Sequence, residues 1–121
     1  MTKDRSALAL AGLLAGMGAL HFLKPRPFDR IVPRALPGSP RFWTYASGVA
    51  ELAVAASVAL PATRRAGSYA AAGLFAAVFP ANVQMAVDAR GGSPKARAIA
   101  YGRLPLQLPL IGWALKVARR A

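Results

Sequence analysis

The run AGSYAAAGLFAAVFPANVQMAV, residues 66–87, holds 22 positions without a charged side chain. At 1.5 Å per residue a helix of that length covers about 33 Å, the thickness of a bilayer hydrocarbon core. A helix in a soluble bundle needs a polar face, and this stretch offers none, with only Ser68, Asn82 and Gln84 as main polar breaks. The pattern extends outward. Ser6–Leu23 carries no formal charge if His21 is neutral, and between Phe42 and Thr63 the only charge is Glu51. Ala98–Leu115 is interrupted by Arg103, Pro105, Gln107 and Pro109. It still reads as a span, because an arginine near its start can snorkel to the interface and prolines are tolerated in membrane helices. The expected fold is all-α: a polytopic membrane protein, an antiparallel four-transmembrane-helix bundle. It forms one domain over residues 1–121, with spans near 6–23, 42–60, 66–87 and 98–117.

Composition agrees. Hydrophobic residues make up 55% of the chain and charged ones 17%, yet 16 Lys and Arg face 4 Asp and Glu, a net charge of +12. Ordinary soluble domains carry roughly 25% charge of both signs, and disordered chains are not this apolar. A nucleic-acid binder would gather its basic residues on one folded face, often with stacking aromatics. Here they fall between the apolar runs, so the expected partner is the lipid bilayer and not nucleic acid. Lys3 and Arg5 before the first run fit a signal peptide, but the run exceeds the usual 7–15 apolar residues and three more follow, which predicts a retained anchor.

With four spans, Lys3, Arg5, Arg64, Arg65, Lys116, Arg119 and Arg120 share one side. Lys24, Arg26, Arg30, Arg34, Arg41, Arg90, Lys95 and Arg97 share the other, so the positive-inside rule does not fix orientation. The first connection, Lys24–Pro40, contains Pro25, Pro27, Pro33, Pro37 and Pro40, which forbid a long helix. Its mixture of Phe28, Ile31, Val32 and Leu36 with arginines predicts a short element at headgroup level, with Arg26, Phe28, Arg30 and Arg34, and Arg64 and Arg65 beyond the next span, as interfacial anchors. Gly12 and Gly16 form a GxxxG pair and Gly73 with Ala77 a similar small pair, predicted to let helices approach closely, within the chain or between subunits.

Polar groups inside a membrane are functional candidates by default. His21, Gln84, Asn82, Arg103, Gln107 and Glu51 lie at depths from about 3 to about 14 Å, counted from the end of the first and third connections. Thr44, Ser47, Gly48 and Glu51 form one stripe on their helix, and Arg103 and Gln107 another. A lone carboxylate there needs a cation or a proton, and Arg103 is its expected partner, with Gln107, Asn82 or water as bridges. These groups either lock the helices together or bind the head of a quinone or lipid. The single histidine and the absence of cysteine exclude a metal site of normal ligand count, and no nucleophile–base–acid arrangement or phosphate-binding glycine loop is present.

HFLKPRPFDRIVPRALP (residues 21–37), SGVAEL (47–52), PATRR (61–65), AVFPANVQMA (77–86) and RLPLQLPLIGWA (103–114) together resemble the DoxX-like family of small bacterial membrane proteins. The resemblance spans nearly the whole chain. It implies a DoxX-like membrane domain in a bacterial plasma (inner) membrane, with His21, Glu51, Asn82 and Arg103 as the residues of interest; the expected role is an accessory protein, non-catalytic by itself, that binds a quinone or lipid head and supports a membrane oxidoreductase. Lacking cysteine, the chain departs from any thiol-relay version of that role. The alternative expectation is an interaction subunit that scaffolds other membrane subunits or a homo-oligomer without ligand chemistry.

Overall fold

The computed structural model describes residues 3–121, except the side chain of Lys3, and is all-helical, with no strand among the described residues. Six α-helices follow in order: α1 (Lys3–Leu23), α2 (Pro25–Ile31), α3 (Pro40–Ala59), α4 (Arg64–Ala77), α5 (Phe79–Asp88) and α6 (Pro94–Arg120). Three stretches, Asp4–Leu23, Pro40–Ala59 and Arg64–Gly91, are long and apolar enough to cross a membrane.

The third stretch is one path but two helices. The α-helix stops at Val78 and restarts at Phe79, with Pro80 in the first turn of α5. Proline has no N–H to donate and its ring crowds the carbonyl four residues back, here that of Ala76, so the ladder breaks where the sequence placed Pro80. Serine caps with a following proline open α3 and α6. Ser39 Oγ accepts from the Phe42 N–H at 3.2 Å ahead of α3, and Ser93 Oγ from the Ala96 N–H at 3.1 Å ahead of α6. Gly38, with φ +83°, makes the turn into α3.

α1 packs along α3, α3 against α4, and α4 along α6. The core is small-residued and sits towards one end: Ala7, Leu10, Ala11 and Leu14 of α1 meet Ala55 and Val58, Ala71, Ala72 and Phe75, and Ala114 and Val117. The glycines that admit close approach are not the predicted ones. Gly12, Gly16, Gly73 and Ala77 are exposed, and a Cβ at any of the three glycines would meet nothing within 4 Å, so they take no part in packing within the chain. The contacts fall instead at Gly18 and Gly48 between α1 and α3, and at Gly67 between α4 and α3. A Cβ on Gly67 would lie 2.6 Å from the Cβ of Ser57, and one on Gly48 2.6 Å from the Phe22 ring.

Arg64 corrects a second expectation. It is 7% exposed and does not reach outward as an anchor. Its guanidinium donates to the Val58 and Ala59 carbonyls, each at 2.9 Å, and to Asp4 Oδ1 at 2.8 Å. The last carbonyls of a helix have no partner within it, so Arg64 closes the end of α3 while tying the start of α1 to the α3–α4 turn.

Candidate functional site

At the other end the helices part around a cavity of about 830 Å³. His21 comes from the last turn of α1, Glu51 from the middle of α3, Asn82 from α5, and Arg103 and Gln107 from α6; all five line it. The rest of the wall is mainly apolar, including Leu14, Met17, Phe75 and Leu110. Gln84 stands apart: its side-chain amide donates to Asp88 Oδ1 at 3.0 Å, and it does not line the cavity.

His21 and Glu51 meet because Gly48 lets the end of α1 lie against α3, where a Cβ would be 2.9 Å from the His21 Cβ. The His21 Nδ1 lies 2.6 Å from the Met17 carbonyl and 3.5 Å from Glu51 Oε2. A carbonyl only accepts, so Nδ1 carries the hydrogen, and in the neutral ring Nε2 is left as an acceptor. Phe28 stacks on the imidazole, centroids 3.9 Å apart and planes 19° apart, so it faces inward as a cover on His21 and is not an outward anchor. Arg26, Arg30, Arg34 and Arg65 are exposed.

The expected Glu51–Arg103 pairing is replaced by Glu51–His21. Arg103 sits on α6, which packs on α4 and α5, and it donates from Nη1 to the Met85 thioether at 3.4 Å. Thioether sulfur is a weak acceptor. Each of the chain's four acids is turned elsewhere: Asp4 pairs with Arg64, Asp29 with Arg41 and Asp88 with Arg34, while Glu51 lies beside His21. Among the described residues, four buried side-chain atoms lack a hydrogen-bond partner: Glu51 Oε2, Ser68 Oγ, Asn82 Nδ2 and Gln107 Oε1. Three of them belong to cavity residues. Buried polar atoms are nearly always satisfied, so three orphans around one space mark it as a place where a ligand or water belongs. No three His, Cys, Asp or Glu side chains among the described residues lie close enough to hold a metal ion.

The first connection roofs the cavity. Thr44 Oγ1 donates to Asp29 Oδ1 at 2.6 Å and Arg41 Nε to Asp29 Oδ2 at 2.8 Å, clamping α2 onto α3. Desolvation pushes the Asp29 carboxyl up, but these hydrogen bonds and the Arg41 charge together prevail and hold its pKa below the ordinary 3.8. Arg34 reaches Asp88 at 3.1 Å, fastening the same connection to the end of α5. Ile31, Val32, Pro33 and Leu36 line both the cavity and an outer groove of about 930 Å³, so this segment is the wall between them. Sequence reasoning missed that clamp; the nearest signal was an acid, Asp29, alone in an arginine-rich connection.

A family model described as a domain of unknown function (DUF8561) matches residues 10–118. No curated protein and no solved structure matches the chain.

Proposed function

The chain belongs to the DUF8561 family, and from that premise we propose that it is a four-span membrane protein whose internal cavity receives the polar head of an apolar-tailed ligand. The spans are α1, α3, the broken α4–α5 path and α6, antiparallel, with α2 at headgroup level. Two observations support the setting. Large apolar side chains such as Leu8, Phe42, Val49, Val83 and Leu108 are exposed, which water would penalise and acyl chains would not. The basic residues cluster in the connections. The DoxX-like resemblance extends the proposal to an accessory protein of a bacterial inner membrane, standing beside an oxidoreductase.

The observation that carries the site is the convergence of three orphaned polar atoms on one largely apolar cavity of ligand size. A quinone-type or lipid head fits the donor set: Arg103 and Asn82 donate to its oxygens, while Glu51, Gln107 and His21 Nε2 offer acceptors for the hydroxyls of a quinol or lipid head. A bound quinone would supply a two-electron carrier to the partner enzyme; this chain's own residues hold and orient it.

Stability and retention together test the reading. Polar groups that lock helices together cost stability when removed, whereas groups kept for a ligand are carried at a loss. Asn82→Leu and Gln107→Leu should leave unfolding in detergent unchanged or shifted in the stabilising direction and should abolish a co-purifying ligand seen by native mass spectrometry. If both variants unfold, the groups lock the bundle and the site fails. The scaffold reading draws on the open Gly12 and Gly16 face; Gly12→Leu disrupting assembly while ligand retention stays intact would favour it.

A further inference from the structure

Resting on the reading of the cavity as a ligand site, we infer that its ligand is an acidic amphiphile: an acyl chain headed by an anionic carboxylate or phosphate seated on Arg103 and Asn82. Three features of the structure lead there.

The first is charge. Arg103 is the cation among the cavity's polar groups, and no acid lies within 4.0 Å of it; the cavity's carboxylate, Glu51, is turned to His21. The guanidinium has five N–H donors in a planar fork, and its bond here runs to a thioether. In apolar surroundings such a group is expensive unless an anion answers it, and the fork matches carboxylate and phosphate oxygens in pairs. The second is the orphaned donor. Asn82 is 2% exposed, its Nδ2 has no partner, and it borders the same space as Arg103. A neutral head with one carbonyl would answer one of these donors and leave the charge uncompensated. The third is the exit. Leu13 and Leu106 line the cavity and are 37% and 53% exposed, and α1 and α6 make only sparse contact. The cavity therefore has an apolar edge through which an acyl chain passes sideways into surrounding hydrocarbon. Glu51 Oε2 and Gln107 Oε1, both orphaned acceptors, border the same space and can take a hydrogen bond from water or from a hydroxyl carried beside the anionic group, as in a glycerol head.

The test uses the full chain in dodecyl maltoside with three probes: palmitate, dioleoyl phosphatidylglycerol and neutral decyl-ubiquinone, scored by native mass spectrometry and titration. One or both anionic probes should bind, and Arg103→Gln should weaken that binding by about tenfold to a hundredfold, the loss expected when charge-assisted hydrogen bonds disappear. Palmitate alone would identify a free carboxylate, and phosphatidylglycerol alone a phospholipid phosphate; either supports the assignment. Decyl-ubiquinone binding more tightly than both anions, with Arg103→Gln unchanged, overturns the acidic head while leaving the cavity a ligand site. No binding of any probe, with no ligand retained from the membrane, overturns both. Helicity by circular dichroism and a monodisperse elution establish that each variant is folded. Should Arg103→Gln fail that control, Arg103→Lys keeps the charge without the fork: binding weakened several-fold supports the paired seating, and unchanged binding overturns it.

Discussion

Arg64 decides between two ideas of what a buried arginine does at a helix turn. As an interfacial anchor it would need only charge and reach, and lysine would replace it. As a capping fork it needs geometry. The side chain is 9% exposed and makes three bonds, two to α3 carbonyls at 2.9 Å and one to Asp4. A hydrogen bond to a charged group contributes about 1.5–3 kcal/mol, so losing the two carbonyl bonds should cost about 3–6 kcal/mol. The Asp4 side chain is 69% exposed, and an exposed ion pair is worth at most about 1 kcal/mol. Arg64→Ala should therefore destabilise by about 3–6 kcal/mol, Arg64→Lys by about 1–2, and Asp4→Asn by less than about 1. Unfolding in mixed dodecyl maltoside and SDS micelles, followed by circular dichroism, measures all three. Asp4→Asn costing as much as Arg64→Ala would show that the ion pair and not the carbonyl capping holds the turn. A neutral Arg64→Lys would return the residue to the anchor role.

Glycine substitutions should separate inward from outward faces: Gly67→Val should cost at least about 1–3 kcal/mol through overpacking against the α3 backbone, while Gly12→Ala should leave monomer stability unchanged in the same assay. The α2 clamp should be insensitive to pH over the neutral range. Asp29 has a lowered pKa, so its contribution is full above its ordinary value of 3.8 and is lost only as pH falls through the lowered one. Hydrogen exchange of α2 amides should then quicken in Asp29→Asn at pH 7, and loosening of the native chain already near pH 6 would contradict the assignment. The native chain contains no cysteine, so single cysteines at Ala62 and Ala121 should label from the same side of the membrane, and opposite sides would refute four spans.

The apolar runs were legible because a hydrocarbon-crossing helix needs only length and absence of charge, both local properties. The break at Val78 was missed, because hydropathy alone reads the run 66–87 as one helix and does not count the missing N–H of Pro80. Glycine roles were not legible either. Gly12, Gly16 and Gly73 recur at helical spacing just as Gly48 and Gly67 sit at isolated positions, and only the placement of a neighbouring helix decides which of them matters. Depth counting brought the cavity residues to one end but paired Glu51 wrongly. It used the rise of the backbone and neglected the lean of side chains, which tilt toward the N-terminus of their own helix. α1 and α3 run antiparallel with His21 level with Gly48, so Glu51 starts only about 4.5 Å deeper, and the lean of His21 into the molecule and of Glu51 toward the start of α3 brings the two side chains together. Arg103, on a helix that starts at the same end as α3, leans toward that end and meets Met85.

Scarcity of acid explains why these particular contacts exist. With 16 basic residues and 4 acids, most cations have no carboxylate available, so each acid's position singles out one attachment. Asp4 ties the start of α1 to the α3–α4 turn; Asp29 holds α2 to α3; Asp88 receives Arg34 from the first connection and the amide of Gln84. Two of the three fasten the roof of the cavity, and the third closes the opposite, alanine-rich end. Glu51 alone fastens no connection. It spends its charge beside His21 with one oxygen left unpartnered, while Arg103, across the same cavity, is left without a carboxylate. A chain that needed only rigidity would have turned that acid to that cation. Keeping the two apart leaves one acceptor and one cationic fork beside the same space, the arrangement on which the proposed ligand site rests.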